Sequence, residues 1–272
     1  MTKLSIIIPA YNSAPYLRRC LESLKRTGRY GPDIELIIID DASTDETGEI
    51  IGSFFKRGTE SHNYPICKTH HATNWGVAMT RNHGLSLASG EWVTFLDADD
   101  ELTPDAFEIM LKYINDPKAN ERNVIQFNHL RQRGNAAPVM KFSNRSGNYY
   151  AKAMPDRWVY CWNKIYKKAF LDANGIRFPI GLDYGEDELF VLDCFRANRW
   201  IYHANESTVI KHFDNDESLT KTLTPQRLNN LIRAELDLLE QKDNPEEFTA
   251  LLRQVIRDHF DSGAFIRIYG RL

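Results

Sequence analysis

Three short runs constrain this chain more than any other feature. Leu4–Pro9, Ile34–Ile39 and Trp92–Asp97 are mostly aliphatic, β-branched or aromatic, and none shows a helical period. Such runs are strands buried on both faces, the pattern of a parallel sheet flanked by helices. Helical stretches fall between them. Leu17, Cys20, Leu21 and Leu24 mark one apolar face that ends near Gly28, and Ile50, Ile51, Phe54 and Phe55 mark another. Pro65–Thr69 reads as a further strand. Asn74-Trp75-Gly76 then opens a helix that runs to Ala88, where Ser89-Gly90 stops it. Strand and helix alternate to about residue 115, which predicts a doubly wound, mostly parallel α/β sheet.

The regularity weakens after Asp116-Pro117. Val124–Leu130 and Val139–Phe142 are expected strands around a polar turn, and Arg145–Arg157 is expected to be a loop. A helix over Ile165–Ala173 ends at Gly175, and Glu188–Ala197 forms another. Trp200–His203 and Thr208–Phe213 read as two short strands. From Thr224-Pro225 two amphipathic helices follow, one lined by Leu228, Leu231, Ile232, Leu238 and Leu239, the other by Phe248, Leu251, Leu252, Val255, Ile256 and Phe260. Their stripes suit core packing or a homodimer contact. The apolar tail from Phe265, with Arg267 and Arg271, suits packing or a peripheral membrane contact.

A chain of 272 residues, 42% hydrophobic, can bury a sizeable core. Its net charge of −3 gives no electrostatic case for gripping nucleic acid or an anionic membrane. No run approaches the ~18 apolar residues of a membrane span, and the sequence enters its first strand without a cationic and apolar leader. Cys20, Cys67, Cys161 and Cys194 are scattered and read as free thiols of a reducing compartment. The expectation is a cytoplasmic protein.

Chemistry concentrates where strands end. Asp97, Asp99 and Asp100 follow the Trp92 run, and open α/β sheets bind ligands at the carboxyl ends of their strands. Like charges ~4 Å apart repel by about 4 kcal/mol at an effective dielectric of 20. A hard divalent cation such as Mn²⁺ or Mg²⁺ turns that cost into affinity. Asp40, Asp41 and Asp45 follow the second run, where Ser43 or Thr44 suits helix capping and Asp41 is left as an acceptor for a base or ribose. Arg81, in the helix after Asn74-Trp75-Gly76, is a natural phosphate partner. Glu186, Asp187 and Glu188 form a third acidic group suited to moving a proton. His212 follows a short strand and is of a type that ligates metals, whereas His70-His71 reads as a loop pair without a role. Each acidic group also has a plainer reading, as helix starts that favour the macrodipole.

Together these segments resemble glycosyltransferase family 2, the inverting nucleotide-sugar enzymes of GT-A fold. The resemblance is carried by residues 5–12, 37–45, 74–84, 90–100, 162–166 and 185–187, in that order. It implies a GT-A domain over residues 1–222, divided into a nucleotide-binding half (1–115) and an acceptor-binding half (116–222). Residues 223–272 form a C-terminal helical extension that no motif covers. Pro9, Ala10, Tyr11 and Asp41 would border the nucleobase, with Asn74, Gly76 and Arg81 along the nucleotide and Asp97 on the ribose side. Asp99 would bind Mn²⁺ or Mg²⁺, with His212 a metal or phosphate contact, and Asp187 would be the catalytic base. Glu186, Asn163, Lys164 and Asp100 would lie on the sugar and acceptor side. The implied partners are a nucleotide-sugar donor, by family habit a UDP-sugar, and a saccharide or glycolipid-linked acceptor reached from the inner face of the membrane, as in cell-surface polysaccharide assembly.

Other readings fit less well. A sugar nucleotidyltransferase carries a glycine- and arginine-rich phosphate loop where this chain has Pro9-Ala10-Tyr11-Asn12-Ser13, and the G-x-G-x-x-G dinucleotide fingerprint is missing. A calcium loop would need further spaced ligands and a central glycine. A non-catalytic binding subunit on the same fold is expected to have lost Asp99 or Asp187, and this chain carries both.

Overall fold

The computed structural model describes residues 2–28, 31–54, 66–134, 136–141, 146–150, 160–182, 184–198, 200–213, 224–240 and 246–261. The first part of the chain contains β1 (Leu4–Ala10), α1 (Ala14–Arg26), β2 (Ile34–Asp40), α2 (Thr47–Phe54), β3 (Ile66–His70), α3 (Val77–Leu87) and β4 (Trp92–Phe95). Then come β5 (Glu101–Leu102), α4 (Ala106–Asn115), α5 (Pro117–Asn120), β6 (Val124–Gln132), β7 (Val139–Lys141), β8 (Gly147–Tyr150) and β9 (Lys164–Lys167). The chain continues through α6 (Lys168–Ala173), α7 (Glu186–Ala197), β10 (Trp200–His212), α8 (Pro225–Leu239) and α9 (Glu246–Asp261).

Among the described residues one sheet runs β3-β2-β1-β4-β9-β6-β10-β5, with β7 paired to β6 and β8 to β10. β3, β2, β1 and β4 are mutually parallel, so their carboxyl ends share one edge. β9 runs antiparallel between β4 and β6, and β6 is again parallel to β10. Successive residues serve opposite cores: Ile6, Ile8, Leu36, Ile38 and Trp92 pack against α1, α2 and α4, while Ile7, Ile37, Ile39, Val93 and Phe95 face α3 and α7. That two-sided burial is what the runs without alternation predict.

Several expected boundaries move. Ile165 and Tyr166 belong to β9 rather than to a helix, because Lys164–Lys167 fills the gap between β4 and β6 and is covered on both faces. A short apolar run beside Phe170 and Leu171 cannot be assigned by period alone. Part of the expected loop is β8, held antiparallel to the start of β10. The two strands expected after Trp200 are one, since the polar Asn205-Glu206-Ser207 stretch is an irregularity in its register with β6. Phe55, residues 151–157 and the tail from Phe265 lie outside the described residues.

The apolar stripes of α8 and α9 join the α7 side of the core, with Leu231, Leu238, Phe248, Leu252, Val255 and Ile256 buried beside Leu189 and Leu192. Cys20, Cys161 and Cys194 are buried and free. No helix among the described residues is long and apolar enough to cross a membrane.

One glycine sets how closely α3 approaches the sheet. A Cβ at Gly84 would overlap Ile7 Cγ2, the methyl carried on the β-branch of a fully buried side chain. Helix propensity favours Gly84→Ala by about 1 kcal/mol. The forced overlap outweighs it, so urea denaturation of the variant is expected to show a net loss of about 1–3 kcal/mol.

Candidate functional site

β4 delivers Leu96 and Asp97 to the carboxyl edge, where the Asp100 N–H closes a turn onto the Asp97 carbonyl at 3.0 Å. That turn brings one oxygen each of Asp97, Asp99 and Asp100 within 4.8 Å of one another. The charge is held by cations from elsewhere in the fold. Lys211, on β10, lies 2.9 Å from Asp100 Oδ2, 3.4 Å from Asp97 Oδ2 and 3.8 Å from Asp99 Oδ1. Arg19, on α1, donates to the Asp99 carbonyl at 2.8 Å and also lies against Glu101, as Arg26 does. Asp100 is fully buried, and that burial, with Asp99 and Asp97 beside it, raises its carboxyl to about 8 against the pull of Lys211. Burial acts the same way on Asp97, but Lys211 and Arg81 outweigh it and hold that carboxyl below its ordinary value.

Arg81 joins this cluster to the third acidic group. Its guanidinium, in a side chain 5% exposed, donates through Nη2 to Asp97 Oδ1 at 2.8 Å and through Nη1 to Glu186 Oε1 at 2.7 Å, with the Phe178 ring 5.2 Å away. The expected phosphate partner is thus a buried strut between β4 and α7. Glu186, expected on the acceptor side, is the other end of that strut and is itself buried.

Gly185 precedes α7 in the left-handed region, at φ +81°, and Asp187 sits in the helix's first turn. Burial first, then the Glu186 charge, raise the Asp187 carboxyl to about 7, with Arg81 opposing. A carboxylate poised near neutrality suits proton transfer.

The third face of the site follows β1 and β2. Asn12 and Ala42 both have positive φ, at 45° and 62°, a costly conformation for alanine. The two turns brace each other: the Asn12 N–H donates to Ser43 Oγ at 2.9 Å, and the Thr44 N–H donates to Asn12 Oδ1 at 2.9 Å. Capping falls instead to Asp45, which accepts the Thr47 N–H at 2.9 Å and the Ala14 N–H at 3.0 Å. Pro9 and Ala10 end β1, the Asp41 N–H donates to the Ala10 carbonyl at 2.8 Å, and Tyr11 stands 49% exposed beside them.

Asp41 is not left free. Its oxygens accept the Trp75 N–H at 2.8 Å and the Gly76 N–H at 2.9 Å, and His71 Nδ1 lies 2.7 Å from Oδ1. Asn74 adds an acceptor 2.9 Å from the same Gly76 N–H, in a turn that needs φ +82° at Gly76. The expected loop pair is therefore structural. His71 is buried, 2.8 Å from His83 Nδ1, and stacked at 3.9 Å on Trp75, while His70 Nδ1 lies 3.1 Å from Asp40. Burial and the neighbouring His71 hold the His83 imidazole below its ordinary value. The sequence signal for His71 was its place directly after a strand that ends level with Asp40.

Further expected residues make contacts of their own in this structure. His212 turns its ring to Glu101, 2.8 Å away, and only its backbone N–H reaches Asp100, because neighbours on a strand face opposite ways; Lys211 is the residue that faces the carboxylates. Asn163 and Lys164, expected on the sugar and acceptor side, are 1% exposed. Lys164 donates to the Tyr160 carbonyl at 2.7 Å and to Asn163 Oδ1 at 2.8 Å, and burial lowers its ammonium to about 7. They support the chain leading into β9. Asp100, expected on the acceptor side, is buried within the aspartate cluster.

The donor set of Asp97, Asp99 and Asp100 is all oxygen and carries three carboxylates, which fits Mn²⁺ or Mg²⁺ better than a thiophilic metal.

The curled, mostly parallel α/β sheet with helices on both faces has the GT-A fold. The model of glycosyl transferase family 2 matches residues 5–170, and the chain belongs to that family. EpsH of Bacillus subtilis, named a glycosyltransferase, is 29% identical over 204 residues, which cover 71% of this chain and 55% of EpsH. The poly(ribitol-phosphate) β-N-acetylglucosaminyltransferase TarS of Staphylococcus aureus is 28% identical over 202 residues, covering 73% of this chain and 34% of TarS. This chain thus spans about half the length of the first relative and a third of the second. The crystal structure of TarS residues 1–349 with UDP-GlcNAc superposes with TM-score 0.78 at 23% identity, covering 96% of this chain and 73% of that one. The mannosyltransferase PcManGT of Pyrobaculum calidifontis, with GDP-Man and Mn²⁺, superposes with TM-score 0.67 at 14% identity, covering 99% of this chain and 76% of that one.

The Arg81 strut gives a direct test. Arg81→Met takes the ion pair from the buried Glu186 and leaves Asp97 with Lys211, and chemical denaturation is expected to show a loss of about 3–5 kcal/mol. Arg81→Lys should recover little, since one ammonium cannot reproduce the two-pronged contact.

Proposed function

We propose that this chain is an inverting glycosyltransferase that transfers a sugar from a UDP-sugar to a hydroxyl of a saccharide or glycolipid-linked acceptor, in cell-surface polysaccharide synthesis. The observation that carries the reading is Asp187. It is a half-buried carboxyl raised to about 7, and its neighbour Glu186 is tied through Arg81 to the acidic turn after β4. The solved complex of TarS with UDP-GlcNAc, on the same fold, supports a uridine nucleotide. The name of TarS supports a polymer acceptor.

In this reading Asp187 accepts the proton of the acceptor hydroxyl as its oxygen bonds to the anomeric carbon. The bond from that carbon to the diphosphate oxygen breaks on the opposite face, so configuration inverts in one displacement. Asp97, Asp99 and Asp100 would hold a divalent cation. Bound there, it would supply Lewis-acid stabilisation of the departing diphosphate. Arg81 keeps Asp97 aimed at the donor and fixes the first turn of α7. Pro9, Ala10 and Tyr11 border the base, and Asp41, oriented by Trp75, Gly76 and His71, offers its remaining acceptor direction to the base. A position at the inner face of the membrane follows from a lipid-linked acceptor.

Transfer should rise with pH through about 7, because Asp187 is a base only once it has lost its proton. Below that point kcat/KM should fall about tenfold per pH unit. Asp187→Asn should abolish transfer and leave nucleotide affinity within about threefold of wild type; retained transfer would remove Asp187 as the base.

A thermal-shift panel of UDP, GDP, CMP and dTDP, with and without Mn²⁺, tests the donor. At 100 times its dissociation constant a ligand adds about 2.7 kcal/mol, and UDP with Mn²⁺ is expected to give that shift in wild type but not in Asp99→Ala. No shift with any nucleotide would favour a binding or scaffold role.

A further inference from the structure

The acidic turn carries its own cation. Lys211 Nζ is within 2.9, 3.4 and 3.8 Å of carboxylate oxygens of Asp100, Asp97 and Asp99, the same three side chains whose oxygens lie within 4.8 Å of one another. The ring of Trp162 lies 5.7 Å from the ammonium. The nearby arginines have other tasks: Arg81 spans Asp97 and Glu186, and Arg19 contacts the Asp99 carbonyl and Glu101. An ammonium and a divalent cation held by the same three carboxylates face each other's charge at short range.

We propose that Lys211 is a built-in counter-ion of the aspartate cluster that competes with the divalent cation and is released to the donor's diphosphate when the two bind together. The proposal rests on the metal-dependent reading above and adds to it an order of events. Before the donor arrives, the ammonium holds the three carboxylates together and keeps affinity for a bare cation low. A nucleoside diphosphate offers Lys211 a second anionic partner, and the four-carbon lysine stem has the freedom to turn to it. Cation and diphosphate then bind with positive coupling, each raising the affinity of the other by the same factor. Phosphate recognition thereby falls to Lys211 rather than to His212, whose ring is committed to Glu101.

The test measures Mn²⁺ binding by electron paramagnetic resonance of the free ion, with and without UDP, in wild type, Lys211→Met and Lys211→Arg. Mn²⁺ alone is expected to bind Lys211→Met about tenfold or more tighter than wild type, while Lys211→Arg stays near wild type. General structural damage would weaken binding rather than tighten it. UDP should raise Mn²⁺ affinity strongly in wild type and about tenfold less in Lys211→Met. Lys211→Gln, which can still donate a hydrogen bond to Asp100, carries the same expectation and serves if the methionine variant does not fold. Equal Mn²⁺ affinity in wild type and the neutral variants would overturn the role of Lys211 while leaving the metal site intact. Absence of Mn²⁺ binding in every protein, with and without UDP, would overturn the metal-dependent reading and this proposal together.

Discussion

The site depends on one guanidinium. Arg81 joins Asp97, at the end of β4, to Glu186, at the start of α7, two carboxylates that the chain supplies far apart: the second is 105 positions from the arginine. A rigid, always-charged fork suits this task, because each prong meets one carboxylate and the charge persists when water is excluded. Once made, the contact sets where the acidic turn sits relative to the first turn of α7. The spacing between Asp97 and the first turn of α7 is therefore a property of Arg81.

The two edges of the parallel strands use polar groups differently. At the amino edge, the Glu35 carboxylate accepts from Ser5 Oγ, Ser89 Oγ and the Ser89 and Gly90 N–H groups, so it is saturated by the chain and closes the fold. At the carboxyl edge, carboxylates exceed what the local hydrogen bonds satisfy, cations are drawn in from α1, α3 and β10, and the positive-φ residues Asn12 and Ala42 appear. Charge balanced only by distant segments and local strain fall on the same edge, where open α/β sheets bind ligands.

Legibility divides along similar lines. Strands buried on both faces announce themselves locally, and β1, β2 and β4 begin where their apolar runs begin. The chain after Asn115 was harder to read for two reasons. β9 is short enough for its two apolar residues to merge with the helix that follows, and the irregularity in β10 looks like a break between strands. Among candidate residues, Arg81 links Asp97 of the acidic turn to Glu186, the residue before Asp187. Lys211 rather than His212 turns its side chain to the aspartates, because sequence spacing places a residue on a strand without saying which of two neighbours faces a given side.

The sequence by itself determined the fold class, the carboxyl-edge location of the site and its acidic character. All three follow from patterns within a few residues: apolar runs, the turns after them, and carboxylates at strand ends. Tertiary structure alone decided the partners. That Arg81 spans Asp97 and Glu186, that Asp41 is held by His71 and Trp75, and that Lys211 lies against the aspartate cluster are contacts between segments far apart in the chain. The physical reason is that a charged side chain buried at such an edge takes its opposite charge from whichever neighbour packing brings within reach, and sequence order does not encode that distance.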